Sequence, residues 1–170
     1  MKKFRGGGIA LVLAVGLALV GCVNTDETPS YYQNLESHSA QIDGNVVASM
    51  ISSYRAQKDR PPVSIDPTLT RIAQAQADGM ARAEDVNAAR KGNLRLSVLM
   101  NEVGQGDVPA VNNLSAGYRR WAEAFSGWRD SPKHNAVMLD AEGTRIGIAT
   151  AYAPGSKYKV FWSLVVAGPR

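Results

Sequence analysis

Ser131 and His134 are the residues of this sequence whose types and spacing most directly suggest chemistry. They stand three positions apart in the segment Trp128-Arg129-Asp130-Ser131-Pro132-Lys133-His134. A serine followed by proline is typical of a helix start, because proline at the first helical position loses no backbone hydrogen bond. His134 then falls in the first turn, on the same helix face as Ser131. This segment is therefore the first candidate for a functional site.

A serine and a histidine in contact can act as a nucleophile and a base, but the surroundings of this pair argue against it. The serine of a Ser-Pro helix start normally uses its oxygen to accept hydrogen bonds from backbone N–H groups. No strand–turn–helix motif presents Ser131, and no third residue is evident to orient the imidazole of His134. The sequence favours a structural histidine whose ring nitrogens bond the neighbouring backbone, with hydrolase chemistry as the alternative.

The elements that must position this segment are predicted to be mainly helices in the first part of the domain and strands at its C-terminal end. Apolar residues recur at helical spacing over 42–54, 69–80 and 118–128. Asp66-Pro67 is typical of the start of the second helix, and Arg60-Pro61-Pro62 ends the first. The β-branched and aromatic stretches 146–152 and 160–166 predict a terminal hairpin. Residues 87–109, which several glycines interrupt, allow either a short helix or a strand.

The N-terminus is typical of an export signal. Lys2, Lys3 and Arg5 precede an apolar run over 9–20, which at 12 residues is too short for a permanent membrane span. Leu19-Val20-Gly21-Cys22 matches the bacterial lipoprotein signal, in which cleavage precedes a cysteine that is then acylated. The alternative is a plain secretory signal with an incidental cysteine. We expect a signal peptide at 1–21, a lipidated N-terminus and polar tether at 22–40, and one domain at 41–170.

Charge and cysteine content narrow the class of protein further. Without Lys2, Lys3 and Arg5, the basic residues fall from 19 to 16 against 15 acidic residues, so the net charge falls from +4 to +1. This balance excludes a basic face for nucleic acid. Cys22 is the only cysteine, so no disulfide can close the domain. The expected partners are the membrane, through the lipid on Cys22, and an unidentified lipid, glycan or protein ligand.

The motifs and their order resemble the CAP superfamily, also called SCP, from about Gly44 to Ala167. Its members include cysteine-rich secretory proteins, plant pathogenesis-related proteins and many bacterial envelope proteins. The resemblance is carried by Ser131-Pro132-Lys133-His134, by Asn112-Asn113-Leu114-Ser115-Ala116-Gly117-Tyr118 and by Tyr54-Arg55. It implies an α/β fold, a three-layer α-β-α sandwich around a small, mainly antiparallel sheet. It also implies a central cleft, for which His134, Ser131 and Asn112 are the candidate lining residues.

Many members of that family hold two histidines and two glutamates around the cleft, where they can bind Zn²⁺ or Mg²⁺. The resemblance places His134 at one histidine position, Asn112 and Ser131 at the glutamate positions, and Ala89 at the second histidine position. Zinc requires three or four nitrogen, sulfur or carboxylate ligands, and this set offers one good ligand. We therefore expect no metal and no cofactor at the cleft.

Two classes of function remain after these observations. The loss of the acidic positions favours a cell-envelope lipoprotein whose domain binds a lipid, glycan or peptide partner without catalysis, and the family offers precedents for binding sterols and fatty acids. The alternative is a cell-wall or peptide hydrolase that uses His134 as a base. The expected location is the bacterial cell envelope, lipid-anchored, and in a Gram-negative cell the outer membrane facing the periplasm.

Overall fold

The computed structural model describes residues 28–170. The predicted signal peptide, the lipidation site Cys22 and the first part of the tether lie outside the described residues. Within 28–170, no helix is both long enough and apolar enough to cross a membrane.

The elements follow the predicted order. The helices are α1 (Gly44–Ala56), α2 (Pro67–Ala83), α3 (Leu96–Glu102), α4 (Trp121–Asp130) and α5 (Pro132–Met138). The strands are β1 (Ser64–Ile65), β2 (Ala110–Ala116), β3 (Arg145–Tyr152) and β4 (Val160–Ala167). Short 3₁₀ turns lie at Ser30–Tyr32, Val86–Arg90 and Gly92–Leu94.

Local capping chemistry explains where the two longest helices of the described region begin. The carboxylate of Asp43 accepts hydrogen bonds from Asn45 N and Val46 N at the start of α1. At the start of α2, the carboxylate of Asp66 accepts from Thr68 N and Leu69 N, and Pro67 occupies the first helical position. Each cap satisfies N–H groups that have no partner inside the helix. The predicted start at Asp66-Pro67 is confirmed.

The sheet has the strand order β1-β3-β4-β2. β4 pairs antiparallel with both β3 and β2, and the short β1 pairs parallel with the first residues of β3. The sheet is therefore mainly antiparallel, and the predicted hairpin is its centre. Every residue of β4 is buried, because helices cover both faces of the sheet.

Side-chain alternation along β4 separates the two faces of the sheet. Trp162 and Leu164 pack in one cluster with residues of α1, α4 and α5. Val165 packs in another with residues of α2 and α3. The predicted three-layer α-β-α sandwich is confirmed. The α2 layer lies close to the sheet at Gly147, where a Cβ atom would overlap the backbone of Leu69 and Thr70.

A buried arginine fastens the end of α1 to the loop between α5 and β3. Arg55 is fully buried, and its guanidinium donates to the carbonyl oxygens of Pro61, Met138, Asp140 and Gly143 at 2.7–3.0 Å. Burial lowers the pKa of Arg55, and the charge of Asp140 partly offsets this. Several carbonyl dipoles thus replace the water that the cation loses.

The segment before α1 also belongs to the packed structure. Leu35 is 3% exposed and lies in the same cluster as Trp162, and its N–H donates to Arg119 O at 2.9 Å. Tyr31 packs against that cluster from the side. The second half of the predicted tether is therefore held on the domain. The polar composition around Leu35 gave no indication of this contact.

Candidate functional site

His134 is placed by the first turn of α5, the helix that begins where the Ser-Pro pair predicted. The preceding helix, α4, brings the indole of Trp128 to the imidazole of His134, with ring centroids 6.4 Å apart and planes tilted by 32°. Trp128 is fully buried, whereas His134 is half-buried. The imidazole thus lies beside a buried indole.

Asn113 on β2 fixes the orientation of His134 through two hydrogen bonds. Its Nδ2 donates to the carbonyl oxygen of His134 at 2.9 Å, which turns the amide Oδ1 toward the ring. That Oδ1 lies 2.9 Å from His134 Nδ1, and because it can only accept, Nδ1 carries the proton. Asn113 is 1% exposed, so the partner that orients the half-buried ring is itself fixed in the interior. In the neutral ring, Nε2 is left as the acceptor.

Charge and burial around His134 oppose its protonation. Burial lowers the pKa of His134, and the positive charges of Lys133 and Arg90 lower it further. Both causes disfavour a second positive charge on the ring. This site therefore stabilises the neutral form of the imidazole over the protonated form.

Asn112, which the sequence analysis placed in the cleft with His134, lies on the opposite face of the sheet. Its Nδ2 donates to Gln76 Oε1 on α2 at 3.0 Å, and the same oxygen accepts from Ser163 Oγ at 2.9 Å. The buried Gln76 in turn donates to Leu94 O at 2.9 Å. The register explains the difference, because Asn112 pairs with Val165 while Asn113 pairs with Leu164. The structure brings Asn113 to His134, and Asn112 to α2.

Ser131 occupies the residue position before α5, but its side chain makes no capping hydrogen bond, contrary to expectation. Only its carbonyl oxygen takes part, accepting from Asn135 N at 2.8 Å. Within 28–170, no hydrogen bond joins the hydroxyl of Ser131 to His134. The nucleophile and base pair considered from the sequence is therefore not assembled in this structure.

The side chains around His134 do not fit the Zn²⁺ or Mg²⁺ site that the family resemblance implies. Ala89, at the expected position of the second histidine, is 1% exposed and packs with Met80 and Phe161. Among residues 28–170, no group of three or more histidine, cysteine, aspartate or glutamate side chains could hold a metal ion. One imidazole beside Lys133 and Arg90 offers a cation a single ligand and two repulsive charges.

Three grooves described by the structure lie away from His134. One, of about 380 Å³, runs between α2, the end of β3 and the segment before α1. A second, of about 200 Å³, continues it along β3. A third, of about 300 Å³, lies between α1 and α4, where Tyr54, Phe125 and Arg129 line it. His134 lines none of these three grooves.

Comparisons with known proteins agree with this architecture. The chain resembles an outer surface protein from Borrelia burgdorferi, with a TM-score of 0.61, 14% identity, and coverage of 77% of this chain and 98% of that one. It also resembles a cysteine-rich secretory protein from Staphylococcus aureus, with a TM-score of 0.59, 13% identity, and coverage of 78% of this chain and 40% of that one.

A third similar structure is an extracellular protein containing an SCP domain from Bacillus anthracis, with a TM-score of 0.54 and 17% identity. There the match covers 73% of this chain and 39% of that one, so this chain spans less than half the length of two of the three relatives. No curated protein matches the chain. The model of the cysteine-rich secretory protein family, CAP, matches residues 48–166. The chain belongs to this family.

Proposed function

We propose that this protein is a lipid-anchored protein of the bacterial cell envelope whose CAP domain binds a partner without catalysing a reaction. The observation that carries the non-catalytic part is the state of His134. Asn113 holds both its Nδ1 and its main-chain carbonyl, and no metal ligand set surrounds it within the described residues. Its Nε2 is free to accept a proton, but within 28–170 no hydrogen bond joins that nitrogen to a hydroxyl, thiol or carboxylate that it could activate.

The packing around the site supports the same proposal. Trp128 donates from its indole Nε1 to Ser115 Oγ at 3.0 Å, so this hydroxyl of β2 contacts the core indole. Asp130, the carboxylate closest in sequence, is paired with Arg129 at 2.9 Å. Within 28–170, neither of these groups is hydrogen-bonded to His134, so neither completes a catalytic pair with its ring.

The anchoring part rests on the sequence of the N-terminus. The basic residues Lys2, Lys3 and Arg5, the apolar run and Gly21-Cys22 support cleavage before Cys22 and acylation of that residue. Relatives with a similar fold include an outer surface protein and an extracellular protein, which supports a location in the envelope. If the cell is Gram-negative, Val23 after the cysteine supports sorting to the outer membrane.

Two experiments test the two parts separately. Mass spectrometry of the mature N-terminus should find an acylated Cys22, and Cys22→Ser should leave a larger precursor; an unmodified cysteine in the wild type refutes the anchor. For the domain, the rates at which the wild type and the His134→Ala variant hydrolyse ester, peptide and cell-wall substrates should be equal. Hydrolysis that the wild type performs and His134→Ala loses would establish the hydrolase alternative.

A further inference from the structure

Among residues 28–170, one edge of β3 lacks a neighbouring strand over most of its length. β1 pairs only with Arg145 and Ile146, at the beginning of β3. Within the described residues, no strand pairs with this edge from Gly147 to Tyr152, although β4 covers the other edge over the whole strand. An unpaired edge presents backbone donors and acceptors at regular spacing. Gly147 to Ala149 are buried and Thr150 to Tyr152 are half-buried, so the accessible part of this edge begins at Thr150.

The hydrogen bonds of the flanking residues show which backbone groups point to this edge. Ala153 N donates to Lys159 O on the β4 side, whereas Ile146 O accepts from Asp66 N on the β1 side. Because backbone groups alternate between the two edges of an antiparallel strand, those of Ile148, Thr150 and Tyr152 point away from β4. Of these groups, Thr150 O accepts from Gln74 Nε2 at 3.3 Å. The N–H groups of all three residues have no described partner.

The free edge forms the floor of a groove. The grooves of about 380 and about 200 Å³ share Ala40, Gln74 and Thr150, so they form one channel. The consecutive residues 150–153 all line it. Side chains alternate between the faces of a sheet, so only the edge of a strand can present successive residues to one groove. From residue 148 to residue 153 the channel is about 17 Å long, at about 3.3 Å per residue.

Both walls of this edge groove carry polar residues. On one side, α2 presents Gln74, Asp78 and Arg82. On the other side, the segment before α1 presents Ser37 and His38 beside Leu35 and Ala40. An added strand would point alternate side chains toward the two walls, and would meet polar groups on both.

We propose that the edge groove binds an extended peptide segment of a partner protein, which adds to the sheet as a strand beside β3. The occupant is a segment rich in polar side chains, because polar residues line both walls. The recess favours a single strand over a second copy of this domain, because α2 and the segment before α1 stand on both sides of the edge. Backbone hydrogen bonds would supply affinity, and the walls would supply selectivity. This inference names a partner class for the proposed binding role, at a site remote from His134.

The probe for the test is a library of random octapeptides, selected on the full chain in detergent, with the enriched peptides then synthesised. We expect the enriched peptides to be rich in polar residues and to slow amide hydrogen exchange in 147–152. Thr150→Pro removes one outward N–H and should weaken their binding about tenfold or more. Thr150→Val, the matched control, keeps the N–H and should bind within about twofold of the wild type.

A second measurement leaves the protein unchanged, in case Thr150→Pro fails to fold. Single N-methyl groups placed along an enriched peptide should abolish binding at alternate positions only, because alternate amides of a strand face the edge. Uniform tolerance of N-methylation, absence of any enriched peptide, or protection confined to other regions overturns the proposal. Concentration-dependent dimers that Thr150→Pro abolishes would assign the edge to a second copy instead, and would also overturn it. None of these outcomes bears on acylation of Cys22 or on hydrolysis, so the proposed function stands or falls separately.

Discussion

Asn113 and His134 are joined by two hydrogen bonds of 2.9 Å, one to the ring and one to the main chain of the histidine. A single side chain of β2 therefore sets the position of α5 and the tautomer of its imidazole at once. Removal of Asn113 leaves the main-chain carbonyl of His134 without this donor. This pair is the contact through which sheet and helix define the surroundings of His134.

The first prediction concerns Asn113→Ala. It removes two hydrogen bonds from a buried position, and we expect the free energy of unfolding to fall by about 2 kcal/mol in urea denaturation. The matched change, Asn112→Ala, removes one side-chain bond on the opposite face and should cost about 1 kcal/mol. In NMR spectra, the ring signals of His134 should shift in Asn113→Ala and stay in place in Asn112→Ala. Equal shifts in both variants would contradict the face assignment.

A second prediction follows from the direction of the pKa shift. Burial and the charges of Lys133 and Arg90 lower the pKa of His134. The unfolded chain therefore takes up this proton at a higher pH, near the ordinary histidine value of about 6.5, than the folded domain does. The stability from the neutral ring is full above that pH and is lost as the pH falls through it toward the folded pKa.

The measurement compares the wild type with His134→Gln, whose side chain does not titrate. Between about pH 7 and about pH 5, the wild type should lose more of its free energy of unfolding than the variant. Urea denaturation at each pH gives both slopes. A variant that loses as much as the wild type would show that His134 titrates alike in the folded and unfolded chains.

The sequence was most informative where structure depends on neighbouring residues. The helix start at Asp66-Pro67 and the hairpin around β4 follow from local capping and alternation, and both are present. In β2, however, Asn112 and Asn113 are adjacent amides of one type, so composition could not tell which faces α5. A shift of one residue exchanges the two faces. Only the register with β4, a contact between distant parts of the chain, decides between them.

Residues 87–109 show a second limit of local reasoning. They form the end of one 3₁₀ turn, a second turn, α3 and connecting loops. Their path depends on contacts with α2, such as the hydrogen bond from Gln76 to Leu94 O. At Gly79, a Cβ atom would overlap the side chain of Leu94, so α2 and the second turn meet closely there. Nothing within the segment's own sequence indicates these partners.

A third prediction tests the core with Trp162→Ala. Trp162 is fully buried on β4, its ring lies beside Trp121 and Trp128, and its Nε1 donates to Tyr118 O at 2.8 Å. Truncation leaves a cavity and an unpaired carbonyl, so we expect a loss of about 3–5 kcal/mol in the free energy of unfolding. Tyr158→Ala, at a ring that is 39% exposed, should change it by less than about 1 kcal/mol. Similar costs for both would contradict the packing around Trp162.

A fourth prediction concerns metal. With one imidazole and two nearby cationic side chains, the site should bind Zn²⁺ no better than an isolated surface histidine. Calorimetry should give weak heats of the same size for the wild type and for His134→Ala, and a chelator should leave the melting temperature unchanged. Tight, stoichiometric uptake that His134→Ala abolishes would mean that further ligands reach the ring.

The last prediction concerns the segment before α1. Because Leu35 is buried among core residues, a chain beginning at Thr28 should melt at a higher temperature than one beginning at Ser39, although both should unfold cooperatively. Leu35→Ala in the longer chain should cost about 2–3 kcal/mol and reproduce much of the difference. Tyr32→Ala, at a ring that is 52% exposed, is the control and should have little effect. Identical melting temperatures for the two chains would show that this segment contributes nothing to the core, and the wall that Leu35 gives to the edge groove would then not be held in place.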